Sequence, residues 1–124
     1  MDPVDLLIVG AGPAGLSAAI TACRRNKSTA VVGKEEISFK LRRAHRVDNY
    51  PGLPAVPGQD LAERLRAHAV EVGAGLYLDE VQRLAPDESS FGAYGRKEEY
   101  LAKAVILAPR SEEHTSELQS RHNL

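Results

Sequence analysis

The chain has 124 residues, 43% of them hydrophobic and 27% charged, proportions that suit one globular domain and exclude a fibrous or intrinsically disordered chain. Its 16 basic residues are matched by 17 acidic ones, so there is no cationic excess to neutralise phosphates, and nucleic-acid binding is set aside. A single cysteine excludes an internal disulfide, no segment approaches the ~20 continuous apolar residues of a membrane span, and Asp2 and Asp5 do not suit a secretory signal; a cytoplasmic location without membrane contact is the simplest expectation.

Val4 to Val9 (VDLLIV) is a short apolar run cut by glycine, the pattern of a strand buried on both faces of a parallel sheet. From Pro13 to about Arg25 the small residues Ala14, Ala18 and Ala22 recur every fourth position, which predicts a helix with one face free of bulk. Pro13 suits its first turn, where no N–H is missed. Thr29 to Val32 is β-branched and ended by Gly33, so it reads as a second strand, and strand, helix and strand within roughly thirty residues imply a parallel crossover. Residues 34–58 hold no period and contain Pro51, Gly52, Pro54, Pro57 and Gly58, which predicts a long loop built of fixed turns.

Asp60 to Val72 is amphipathic, with Leu61, Leu65, Ala69 and Val72 on one face, and Asp60 with Glu63 resembles a capping box at its start. Gly73 and Gly75 end it. Gly75 to Leu84 is expected as one strand, Phe91 to Tyr94 with Glu98 to Ala102 as a hairpin around Gly95, and Lys103 to Ala108 as a further buried strand. The fold class expected is α/β, a partial Rossmann-like domain with a parallel sheet, a crossover helix and a β-hairpin.

After Pro109 the character changes: Arg110 to Leu124 (RSEEHTSELQSRHNL) holds two apolar residues and no period, as a disordered tail would. RSEEHTSELQS is also the one-frame translation of a common sequencing adaptor, and RHNL fits a short variable index followed by the adaptor's continuing bases. Residues 110–124 are therefore expected to be foreign, with residues 1–109 the native part.

The sequence Gly10-Ala-Gly-Pro-Ala-Gly15 matches G-x-G-x-x-G, directly after one expected strand and opening an expected helix. Gly10 permits the sharp turn, Gly12 lets a pyrophosphate approach the backbone, and Gly15 permits close helix-to-strand packing. The helix N-terminus then offers free N–H groups and partial positive charge to the phosphates. An acid is expected about 20 residues on, to bind the adenosine ribose. Gly33 and Lys34 stand there instead; Glu35 or Glu36 could reach the ribose from the next turn, or either could be a solvated loop charge.

VGAGPAGLSAAI, the turn Asn49-Tyr50-Pro51-Gly52 within RVDNYPGLP, the helix DLAERLRAHAVEVG and the strands after it together resemble the N-terminal FAD half of the thioredoxin-reductase-like flavoproteins, over essentially all of residues 4–108. The resemblance implies an incomplete FAD-binding domain over residues 1–109. It implies FAD pyrophosphate on Gly12, Pro13, Ala14 and Gly15 beside Gly10, adenosine near Gly33 and Lys34, adenine against the backbone around Val81, and flavin-side contacts at Lys40 and Asn49. Tyr50 reads either as part of that turn's function or as a packing aromatic.

The implied activity is that of an FAD-dependent oxidoreductase carrying electrons from NAD(P)H or ferredoxin to a disulfide, with a thioredoxin-like protein as a partner and a homodimeric parent. The family's Cys-x-x-Cys is absent, so no catalytic residue is assigned and the chain alone is expected to be inactive. Cys23, near the end of the first helix, reads as an inert, packed thiol. The basic run Lys40, Arg42, Arg43, His45 and Arg46 reads as a solvated loop or as a dock for an acidic electron carrier. His68 reads as a surface side chain, and no metal site is expected. Two alternatives stay open: a non-catalytic dinucleotide-binding module, and another FAD enzyme, such as a monooxygenase, with the same entry motif.

Overall fold

The computed structural model describes residues 1–34, 46–48, 50–52 and 55–108. Strand β1 (Val4–Val9) leads into helix α1 (Pro13–Arg24), strand β2 (Thr29–Gly33), helix α2 (Gly58–Glu71), strands β3 (Gly75–Leu78), β4 (Val81–Pro86) and β5 (Phe91–Gly95), and the long strand β6 (Glu99–Leu107). The six strands form one sheet in the order β3-β2-β1-β6-β5-β4. β3, β2, β1 and β6 run parallel, with Leu7 opposite Ala30 on one side and Val105 on the other; β4, β5 and the first half of β6 form an antiparallel meander.

The apolar runs of β1 and β2 have the expected cause. Ile8 and Val31 pack on the helix side with Leu16, Ala19, Leu61, Leu65 and Ala69, whereas Leu7, Val9, Ala30 and Val32 pack on the other side with Val81, Leu84, Ala93 and Tyr100 of the meander. Both faces of the parallel strands are therefore covered, by helices on one side and by the meander folded back on the other.

Four details depart from the sequence expectation. The buried line on α1 is Gly15, Leu16 and Ala19, one position round from Ala14, Ala18 and Ala22; Ala14 is exposed. Small residues occupy both lines, and the tight approach at Gly15 together with the bulk of Leu16 decides between them. Helix α2 starts at Gly58 behind Pro57 with no side-chain cap, so Asp60 lies within the first turn, where its charge complements the helix dipole, and forms no capping box. The single strand expected over Gly75 to Leu84 is two strands on opposite edges of the sheet, separated by Asp79 and Glu80. Conversely, the second arm of the hairpin and the strand expected from Lys103 are one strand, β6, whose alternation of buried and exposed residues slips at Lys103 and Ala104, where it passes from β5 to β1.

Within the long connection to α2, Val47 and Val56 form an antiparallel bridge through hydrogen bonds of 2.6 and 3.0 Å, enclosing the turn that contains Tyr50 and Gly52. Gly52 takes φ +86°, a conformation glycine adopts freely, and Tyr50 packs against the helix-side core, in line with the packing reading of that aromatic.

Candidate dinucleotide site

The chain order places α1 between β1 and β2 and α2 between β2 and β3, moving one way across the sheet, while β6 lies on the other side of β1. The carboxyl ends of β1 and β6 are therefore the point where the winding reverses, which is where open α/β sheets form their ligand crevice. The Gly10–Gly15 loop leaves β1 at that point.

Each glycine of the loop has a separate physical reason. Gly10 has φ +120°, a strained conformation for any other residue, while its N–H donates to the Val32 carbonyl at 2.8 Å as the last rung between β1 and β2. At Gly15 a Cβ would collide with the carbonyl oxygen of Gly10 and press on Cγ2 of Ile8 at 3.2 Å. Gly12 is different: a Cβ there would meet no protein atom within 4 Å, so the protein's own packing does not demand glycine. Gly12 is the N-cap of α1, it provides no side-chain cap, Pro13 follows in the first turn, and no acidic residue stands in that turn. The positive end of α1 thus meets no carboxylate of its own helix. Ala14 is exposed at the same end.

The end of β2 lies against this loop. A Cβ on Gly33 would stand 2.6 Å from the Ala11 Cβ, so this strand end has no room for the acidic side chain that the motif leads one to expect. Lys34 is exposed and its Nζ lies 3.7 Å from Glu80, which also pairs with Arg96 at 2.9 Å. Val81 is buried in β4, two residues beyond Asp79, whose N–H donates to the Gly33 carbonyl at 3.0 Å. The fold thereby brings Gly10, Gly12, Pro13, Ala14, Gly15, Gly33, Lys34 and Val81 to one end of the sheet. Lys40 and Asn49 lie outside the described residues, as do Glu35, Glu36, most of the basic run and residues 109–124. Arg46 of that run is described, exposed and paired with Asp48 at 2.7 Å. Cys23 is half-buried against the helix-side core and His68 is exposed on α2.

Sequence reading missed Asp79. The residue is 5% exposed, and its carboxylate accepts hydrogen bonds from the Tyr100 hydroxyl at 2.8 Å and from the N–H groups of Glu80, Lys97 and Glu98 at 2.7, 3.0 and 3.3 Å. Burial pushes this carboxyl up, but the hydrogen bonds from Tyr100 and the three N–H groups outweigh it and hold it below its ordinary value. The Tyr100 phenol moves the other way, raised by burial first and then by its bond to the Asp79 carboxylate. The available signal was an adjacent Asp-Glu pair interrupting an apolar strand pattern.

A parallel crossover with a glycine loop at the reversal point defines a Rossmann-like dinucleotide-binding domain. The family model described as Pyridine nucleotide-disulphide oxidoreductase matches residues 4–121, and the chain belongs to that family. It is 37% identical over 105 residues to a thioredoxin reductase of Peptoclostridium acidaminophilum, covering 84% of this chain and 33% of that protein. Among solved structures, a thioredoxin reductase from Gloeobacter violaceus matches with a TM-score of 0.80 at 31% identity, over 86% of this chain and 34% of that one. A ferredoxin-flavin thioredoxin reductase from Clostridium acetobutylicum matches with a TM-score of 0.79 at 34% identity, over 86% and 37%. The chain spans about a third of the length of these relatives. No helix among the described residues is long and apolar enough to cross a membrane.

Proposed function

We propose that this chain supplies the pyrophosphate cradle and the adenosine end of the FAD site of a thioredoxin-reductase-type oxidoreductase. That enzyme moves electrons from NAD(P)H or ferredoxin to a disulfide, with a thioredoxin-like protein as its substrate, and works as a cytoplasmic homodimer. FAD, when bound, supplies the two-electron chemistry. Gly12, Pro13, Ala14 and Gly15, set by the turn at Gly10, hold the pyrophosphate with backbone N–H groups and the α1 dipole. Gly33, Lys34 and the backbone of Val81 take the adenosine, and Lys40 and Asn49 take the flavin side.

The observation that carries this reading is Gly12, whose missing side chain clears space that no part of the protein needs. The pair of electron donors is retained because the solved relatives include one named a ferredoxin-flavin thioredoxin reductase. Residues 1–109 form the native, incomplete cofactor domain, and residues 110–124 are translated adaptor. Titrating the 124-residue chain with FAD while following flavin fluorescence is expected to give saturable binding that ADP competes away, without disulfide reduction in the presence of NADPH. Absence of FAD binding by a chain that circular dichroism shows to be folded would overturn the cofactor assignment. Sequencing independently prepared genomic DNA past codon 109 tests the tail, and recovering the same codons would show it to be native.

A further inference from the structure

β3 and β4 are the two outermost strands of the sheet, yet only Asp79 and Glu80 separate them in the chain. So short a connection can join opposite edges only if the sheet rolls until those edges meet. Asp79 sits at the meeting point. Its N–H is bonded to the carbonyl of Gly33 at the end of β2, and its carboxylate is bonded to the turn between β5 and β6 through the N–H groups of Lys97 and Glu98 and to Tyr100 within β6. The fit is close: a Cβ on Gly95 would fall on the Asp79 carboxylate, and the Tyr77 and Tyr100 rings meet edge to face at 6.1 Å beside it.

Joining two edges does not require a charge. A buried carboxylate is costly to desolvate, and well-packed apolar groups hold comparable positions with no loss of stability. What a carboxylate adds is direction, because its lone pairs accept several donors along fixed lines. Here those lines fix the Glu80 N–H, and with it the backbone entering Val81, relative to Gly33, which itself touches Ala11 of the phosphate loop. A dinucleotide gripped at its pyrophosphate gains from adenosine contacts only when they lie in register with that grip.

Resting on the cofactor reading above, we propose that Asp79 is a positioning residue for the adenosine end of the bound dinucleotide, holding the Gly33–Lys34 and Glu80–Val81 segments at a set distance from the phosphate loop. It acts through backbone groups and not by touching the nucleotide.

The test uses the 124-residue chain, with ADP and inorganic pyrophosphate as probes in isothermal titration calorimetry. The unsubstituted chain is expected to bind ADP more tightly than pyrophosphate. Asp79→Asn, in which an amide N–H₂ faces donors, should weaken ADP roughly tenfold while leaving pyrophosphate unchanged. Tyr100→Phe removes one donor and should shift ADP alone by a smaller factor. Retained ADP affinity in Asp79→Asn, or equal losses for both probes, overturns the positioning role and leaves the cofactor reading standing. If the unsubstituted chain binds neither probe, the cofactor reading falls and the positioning role with it. Should Asp79→Asn fail to fold by circular dichroism, the same comparison on Tyr100→Phe decides.

Discussion

Replacing Gly12 by alanine adds one methyl group where no protein atom lies within 4 Å. The backbone there, φ −83° and ψ −172°, is one that alanine adopts, so the cost to the fold is limited to a poorer N-cap, about 0.5–1 kcal/mol. If a pyrophosphate rests against that Cα, the methyl takes its place, and FAD affinity should fall by at least about tenfold, which is ~1.4 kcal/mol. Gly15→Ala should do the reverse. Its Cβ overlaps the carbonyl oxygen of Gly10, a residue tied through its N–H to Val32, and crowds Ile8 within β1, so stability should drop by about 1–3 kcal/mol before any ligand is added. Urea unfolding of the ligand-free variants and FAD titration by flavin fluorescence separate the two effects. Gly12→Ala binding FAD as tightly as the unsubstituted chain would refute the cradle argument. Gly15→Ala unfolding at an unchanged urea midpoint would refute the packing argument.

Further outcomes follow from the same geometry. Asp79→Ala leaves the Tyr100 hydroxyl and several N–H groups without their acceptor and should cost about 2–4 kcal/mol in urea unfolding. Because the Asp79 carboxyl is held below 3.8 when folded, burial notwithstanding, its contribution is complete above that value and is lost as pH falls through the folded value. Asp79→Asn should therefore lose less stability than the unsubstituted chain over that acid range, and an equal loss would count against the assignment. Gly33→Ala places a Cβ 2.6 Å from the Ala11 Cβ and should cost about 1–3 kcal/mol; the double variant Ala11→Gly/Gly33→Ala should recover much of it in the same unfolding assay. Ile106 is 39% exposed on β6, so Ile106→Lys should reduce self-association in light scattering while shifting stability by no more than about 0.5 kcal/mol.

How much of this was legible in the sequence depended on which physical signal each part carries. β1 and β2 were readable because burial on both faces makes most positions of a short run apolar, and the loop after β1 because three glycines at fixed spacing have few other reasons to occur. Gly33, Lys34 and Val81 were named from the family resemblance alone; that they lie at one end of the sheet follows from the strand order, which periodicity cannot supply, because a strand's alternation does not say which edge it occupies. That is why Gly75 to Leu84 read as one strand although its halves lie at opposite edges. The start of α2 was displaced because Asp60 and Glu63 have capping-box spacing, yet Pro57 already sets a backbone geometry from which Gly58 begins the helix. Asp79 was missed because the Asp79-Glu80 pair was read as part of one strand from Gly75 to Leu84, and its burial is created by Tyr100 and the β5–β6 turn, both distant in the chain.

The placement of β6 governs how this sheet can be assembled. The last strand of the described chain is not an edge strand: it lies between β5 and β1, pairing Ala104 with Leu6 at the opposite end of the polypeptide. As the chain leaves the ribosome, β1 and β2 can pair early, but the other side of β1 keeps its N–H and C=O groups unpaired until residues near 107 have emerged. Those late, long-range contacts carry the largest loop-closure entropy in the domain and are expected to limit its folding rate. A nascent chain halted before β6 would present a bare parallel edge, a template for pairing with its neighbours on the same message.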